Sequence, residues 1–164
     1  MPEIELLTAL RQKRLTIAVA ESCTGGRICD KLTNVPGSSD VFLGGVVAYS
    51  NDSKVKLLGV SLEVLGTYGA VSSVCAAEMA AGVRKAFGAD VGISVTGIAG
   101  PGGGSETKPV GLVFIGLDHK GKRETFRIDK SGDRENIKEE TSNEALQLAL
   151  DHIPRFGRQG SKAR

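Results

Sequence analysis

Ser22 stands in Glu21-Ser22-Cys23-Thr24-Gly25-Gly26, directly after an apolar run of strand length and before apolar residues at helical spacing. A serine on such a sharp strand-to-helix turn has the logic of a nucleophile elbow, because free amides at the start of the helix could hold an oxyanion or a phosphate. The spacing Ser-x-x-Gly-Gly is not the hydrolase G-x-S-x-G, and serine is equally a favoured helix cap, so both roles stand open. Cys23 is a rival nucleophile, since a thiol at a helix N-terminus has a lowered pKa, but it needs a base. The chain has two histidines. His119 falls in an expected hairpin turn and His152 near the end of the last helix; both read as surface residues, and neither belongs to a turn that meets Cys23 or Ser22. Cys–His and Ser–His–Asp arrangements are therefore poorly supported.

A base of another kind is offered by Tyr49-Ser50-Asn51-Asp52-Ser53-Lys54, a phenol and an amine where a second strand passes into its helix. Lysine activates serine only when neutral, which requires desolvation or a nearby cation. Read without context, a solvated Lys54 and a Tyr49 packed on the sheet is the plainer alternative. The loop Gly97 to Gly104 holds five glycines in eight residues, with Lys108 behind it, and suggests an ordered backbone cradle for an anion. It is neither a P-loop nor a dinucleotide fingerprint. Arg134 stands at an expected helix start, where a functional and a solvated arginine are equally plausible. Glu78 and Arg84 read as helix surface.

The elements that must position these groups follow from local pattern. Pro2, acidic Glu3 and Glu5, an apolar face and basic Arg11, Lys13 and Arg14 predict a helix over 3–13. Leu15 to Ala20 predicts a strand, 21–26 a tight turn, and Ile28, Cys29 and Leu32 a helix. Turn residues fill 34–40, Phe42 to Ser50 reads as a strand, and Asn51 can cap the helix that follows. Val71 to Phe87 predicts an Ala-rich helix with Val74, Ala77, Ala81 and Val83 on its apolar face, ended by Gly88. Val91 to Val95 is a β-branched strand; Val110 to Leu117 and Glu124 to Asp129 read as a hairpin. Asp133 to His152 is a helix in which Thr141-Ser142-Asn143-Glu144 has the spacing of a capping box and suggests a break. Alternation followed by a hairpin predicts an α/β fold: three-layer α/β/α with a mixed parallel/antiparallel sheet. Ligands of such sheets bind beyond the carboxyl ends of strands, where 21–26 and 96–104 both fall.

Composition bounds the rest. With 164 residues the chain has the size of one domain, assigned to 1–153 with a basic, disordered tail over 154–164. Lys and Arg exceed Asp and Glu by only 21 − 19 = 2, and aromatics make up 4%, so neither bulk charge nor base stacking supports nucleic-acid binding. Three cysteines without a C-x-x-C pair fit a reduced cytoplasmic protein, and the acidic N-terminus is unlike a signal peptide. No apolar run reaches the length of a membrane span.

Five separated motifs, in order, resemble one family. They are Ala20 to Gly26, Val35 to Ser39, Tyr49-Ser50-Asn51 with Lys54, Gly69 to Ser72, and Thr96 to Gly104 with Lys108 to Gly111. Over residues 3–153 the chain resembles the C-terminal domain of the competence/damage-inducible CinA proteins, a family that includes stand-alone nicotinamide-nucleotide amidases (PncC). Larger CinA proteins carry a further N-terminal domain resembling molybdopterin-binding folds, for which 164 residues leave no room. The resemblance implies hydrolysis of nicotinamide mononucleotide to nicotinate mononucleotide and ammonia in pyridine-nucleotide recycling, without metal or cofactor, by a homo-oligomer. It implies that Ser22, Tyr49 and Lys54 are the catalytic group, with Lys54 taking the Ser22 proton through Tyr49. Backbone amides near Thr24 and Gly25 would then hold the oxyanion. Substrate contact falls to Asn51, Thr96, Gly97, Gly100, Gly102 and Gly103, with Arg134 for the 5′-phosphate. Tyr68 stands where members usually have His, and Lys138 where Arg is common. The rival expectations are a non-catalytic nucleotide-binding module and a competence or DNA-damage factor acting through a protein partner.

Overall fold

The computed structural model describes residues 1–157. Helix α1 (Pro2–Lys13) forms as its charges and Pro2 require, burying Leu6, Leu7 and Leu10. Then follow β1 (Ile17–Glu21), α2 (Arg27–Thr33), β2 (Phe42–Val47), α3 (Asn51–Leu58), α4 (Leu62–Thr67), α5 (Ser73–Phe87), β3 (Val91–Gly97), β4 (Leu112–His119), β5 (Lys122–Asp129) and α6 (Arg134–His152). The five strands form one sheet in the order β2-β1-β3-β4-β5. β1 is parallel to β2 and β3, whereas β3–β4 and β4–β5 are antiparallel. Central β1 is buried along its whole length and edge strand β5 alternates, as neighbours on two sides and on one dictate. Lys120 and Gly121, both at positive φ, close the β4–β5 hairpin in two residues.

Each face of the sheet has its own core. Ile17, Val19, Val91, Ile93, Val95 and Ile115 pack with α1, α2 and α6, while Ala18 and Ala20 pack with α3, α4 and α5. The mixed three-layer α/β/α architecture is thus the observed one. Helix α5 lies close on the sheet because Gly92 and Gly116 carry no side chain: a Cβ there would run into the Ala80 and Ala76 carbonyl oxygens respectively. No helix of the described residues is long and apolar enough to cross a membrane.

Several local expectations are corrected. Ser72 caps the Cys75 amide, so α5 begins at Ser73; it buries Cys75, Ala76, Met79 and Ala80 together with the expected Ala81 and Val83, while Val74 and Ala77 are only half-buried. Likewise Ser50, not Asn51, caps α3. No apolar periodicity announces α4, whose Leu62 is exposed. α6 runs unbroken through Thr141–Glu144, because Thr141 and Ser142 face the core and Ser142 Oγ donates back to the Lys138 carbonyl at 2.8 Å. His119 is a buried strand residue stacked on Phe156, and His152 is mostly covered, with Nε2 3.4 Å from Glu124. The expected tail begins with order. Ile153–Arg155 make a 3-10 turn, and Lys13 Nζ donates to the Pro154 and Phe156 carbonyls at 2.7 and 2.8 Å. Residues 158–164 of that tail lie outside the described residues.

Candidate active site

Adjacent parallel strands β1 and β2 send their following helices to opposite faces, α2 to the first and α3 to the second. The diverging connections leave a crevice beyond the strands' carboxyl ends. A cavity of about 170 Å³ lies there, lined by Ser22, Cys23, Tyr49, Asn51, Lys54, Ala70, Val71, Thr96, Gly97, Ala99 and Arg134. Residues far apart in sequence, from three strand ends and the start of α6, therefore share one site.

At its floor is Lys54, in the first turn of α3 and 1% exposed. Its Nζ lies 2.9 Å from the Ala48 carbonyl, 3.1 Å from the Tyr49 carbonyl and 3.0 Å from Ser22 Oγ. Carbonyl oxygens only accept, so two N–H groups are committed to them and the remaining tetrahedral position faces the serine. In the neutral amine that position is the lone pair, and Ser22 O–H is the donor. Desolvation lowers the Lys54 pKa from its ordinary value, against the opposing influence of Cys75 and Cys23. Burial thus favours the protonation state in which lysine accepts a proton.

Tyr49 differs from expectation. The residue is 63% exposed, its carbonyl faces Lys54, and its phenol accepts instead from Arg134 Nη2 at 3.2 Å. Lys54 Nζ and Ser22 Oγ meet directly, and among the described residues the phenol hydrogen-bonds Arg134 rather than either of them. Arg134, the first residue of α6, also donates from Nη1 to the Gly100 carbonyl at 2.6 Å, tying the glycine-rich loop to the mouth of the cavity. Thr96 Oγ1 donates to the Ala70 carbonyl at 2.8 Å.

Not every expected contact residue reaches the cavity. Thr24 and Gly25 lie in the turn behind it, Gly100 is buried, and Gly102 and Gly103 are exposed on the loop beyond it. Gly25 and Gly26 adopt φ of +64° and +104°, which the tight turn requires. The Gly25 amide is already engaged by the Ser22 carbonyl at 3.1 Å, so it is not an available oxyanion donor. Among the described residues the amides of Cys23 and Thr24 carry no hydrogen bond. Cys23 is buried and its pKa is pushed up to about 11, chiefly by desolvation, against any lowering at the helix start; it is Ser22, not the Cys23 thiol, that hydrogen-bonds Lys54.

Glu21 was not among the expected site residues. Wholly buried, it accepts at Oε1 from the Gly26 and Ile28 amides (3.1 and 3.0 Å) and at Oε2 from the Cys29 amide (2.9 Å). The start of α2, read from sequence as a free anion cradle, is therefore filled by the chain's own carboxylate. An acidic residue immediately ahead of a helical turn is the signal that could have pointed to it. Among the described residues no cluster of three or more His, Cys, Asp or Glu side chains is arranged to hold a metal.

Residues 2–153 match the family model of the CinA C-terminal domain. A Moorella thermoacetica protein that bears a competence-damage inducible name is 60% identical over 139 residues, 85% of this chain and 34% of its own length. A CinA-like protein of Kosmotoga olearia is 49% identical over 150 residues, 92% of this chain and 35% of its own. The chain thus spans about a third of the length of these relatives. The crystal structure of a CinA superfamily protein from Klebsiella pneumoniae superposes with a TM-score of 0.92 at 30% identity, covering 94% of this chain and 97% of that one.

Proposed function

This chain belongs to the CinA C-terminal domain family, and on that premise we propose that it is an amidohydrolase converting nicotinamide mononucleotide to nicotinate mononucleotide and ammonia. The observation that carries the reading is the desolvated Lys54, whose one uncommitted position faces Ser22 Oγ at 3.0 Å. A module that only binds nucleotides has no need of a buried amine aimed at a hydroxyl, an arrangement costly to keep out of water.

In the proposed cycle neutral Lys54 takes the Ser22 proton as Oγ bonds to the carboxamide carbon. The Cys23 amide, on a residue that lines the cavity, is the donor left to hold the resulting oxyanion. Collapse of the tetrahedral intermediate breaks the C–N bond, and the Lys54 ammonium returns its proton to the departing ammonia. Water, deprotonated by Lys54, then attacks the acyl-enzyme, releasing nicotinate mononucleotide, and the Lys54 ammonium returns the proton that restores the Ser22 hydroxyl. Arg134 is assigned the 5′-phosphate, because it stands at the mouth with guanidinium donors suited to a planar two-point contact. Tyr49 serves by orienting Arg134 rather than by carrying a proton.

The test is release of ammonia and nicotinate mononucleotide from purified protein given nicotinamide mononucleotide, without added metal, beside Ser22→Ala. Turnover that disappears in the variant supports amidase and nucleophile together. A folded wild type that binds the mononucleotide and releases no ammonia would leave a binding module in its place.

A further inference from the structure

We infer that Glu21 is the positioning residue of the nucleophile, an internal anion that holds the Ser22 turn in its reactive shape and closes the α2 N-terminus to the substrate's phosphate. The inference rests on Ser22 being the nucleophile, as proposed above. Glu21 is the last residue of β1 and the immediate neighbour of Ser22, it is 0% exposed, and it does not line the cavity. It cannot touch substrate. Its carboxylate instead reaches past the turn it precedes and accepts the amides of Gly26, Ile28 and Cys29.

Two consequences follow from this geometry. Residues 22–26 are clamped at both ends, on one side by β1, where the Ser22 amide donates to the Val95 carbonyl at 3.1 Å, and on the other by the carboxylate on α2. A clamped turn keeps Ser22 Oγ within reach of Lys54 and leaves the Cys23 and Thr24 amides uncommitted, and small displacements of such groups are costly to rate. The second consequence concerns charge. The positive end of a helix ordinarily attracts phosphate, but here a buried carboxylate takes those donors and repels a second anion. The first amides of α2 therefore offer no free donors to the substrate's phosphate, which is left to Arg134.

Glu21→Gln keeps the shape of the side chain, but it removes the charge and sets an NH2 group against the Cys29 amide, donor against donor. The decisive assay is labelling of Ser22 by a fluorophosphonate, in which Ser22 Oγ bonds to phosphorus, its proton passes to Lys54 and fluoride leaves. This reads the nucleophile without any amide substrate. We expect Glu21→Gln to label at least about tenfold more slowly than wild type. Where nicotinamide mononucleotide is turned over, kcat falls by a similar factor while KM stays within about twofold, because Glu21 contacts no substrate. Labelling of folded Glu21→Gln at the wild-type rate, or a rise in KM with kcat unchanged, overturns the inference. If Glu21→Gln does not fold, Glu21→Asp carries the test. It keeps the charge but retracts it by one methylene, so slowed labelling supports the inference and wild-type labelling overturns it. Wild type that labels at Ser22 yet does not hydrolyse nicotinamide mononucleotide sinks the amidase reading alone and leaves this one standing. Wild type that does not label at Ser22 overturns both.

Discussion

Replacing Lys54 by methionine keeps most of the side chain's volume and deletes the one group that touches Ser22 Oγ, the Ala48 carbonyl and the Tyr49 carbonyl together. General-base catalysis contributes on the order of 10²–10⁴ in rate, so kcat should fall by that factor, about 2.7–5.5 kcal/mol of barrier. Stability changes through opposing terms. Each buried group left unpaired costs ~1–3 kcal/mol, offset by no longer burying an amine, so the net change should be small beside the loss in rate. The pH dependence separates the two effects. In the folded wild type desolvation puts the Lys54 pKa below its ordinary 10.5. Between the folded and unfolded values the unfolded chain binds the extra proton, so this lysine makes stability rise with pH across that window. Activity should rise with pH through the folded pKa as the neutral base forms. Lys54→Met should lose both slopes. Ammonia release across pH and urea denaturation at matched pH measure them. A folded Lys54→Met that turns over within tenfold of wild type, or keeps the wild-type pH–rate limb, would refute the assignment of Lys54 as base.

Tyr49→Phe removes only the phenol that accepts from Arg134, so kcat should stay within about threefold and KM rise about fivefold, the scale of one hydrogen bond of ~1 kcal/mol; steady-state kinetics showing a kcat loss of about 100-fold would restore a proton relay. Arg134→Ala should raise KM for nicotinamide mononucleotide about 10- to 100-fold while affecting the unphosphorylated nucleoside much less, a contrast measured by comparing kcat/KM for the two substrates. Gly116→Ala drives a methyl group into the Ala76 carbonyl and should destabilise the fold by ~1–3 kcal/mol, read as a lower urea midpoint at unchanged m-value.

Much of the fold was legible in the chain itself, because it is written in local chemistry. Pro2 and the charge order of α1, the glycines of the turn after β1, the β-branched run of β3 and the existence of the β4–β5 hairpin each rest on a few residues, and their alternation implied the layered sheet, although the turn is tighter than expected and leaves His119 in β4. Ser22 at the strand-to-helix turn was legible for the same reason. The α5 register was not, since alanines leave the choice of face to the contact with Gly92 and Gly116. Nor was the unbroken course of α6, since Thr141 and Ser142 could cap a helix or face a core, and only packing chose the second.

The chemistry of the site was decided by tertiary structure. Nothing within five residues of Lys54 tells a solvated amine from a desolvated one; its burial comes from the crevice formed where β1 and β2 part company, and its partner Ser22 lies 32 residues earlier. On local pattern alone the plainer reading is a packed Tyr49 and a solvated Lys54; Tyr49 is instead exposed, and Lys54 is buried as a serine-activating lysine requires. Glu21 is two-sided in the same way, a charge at the end of a buried strand that sequence alone would send to solvent, until α2 folds back and gives it three amides. Local pattern determines which backbone conformations form. The free energy of an ionisable side chain depends on how much water is removed around it and on which dipoles replace that water, and those dipoles belong to parts of the chain that only the completed fold brings near.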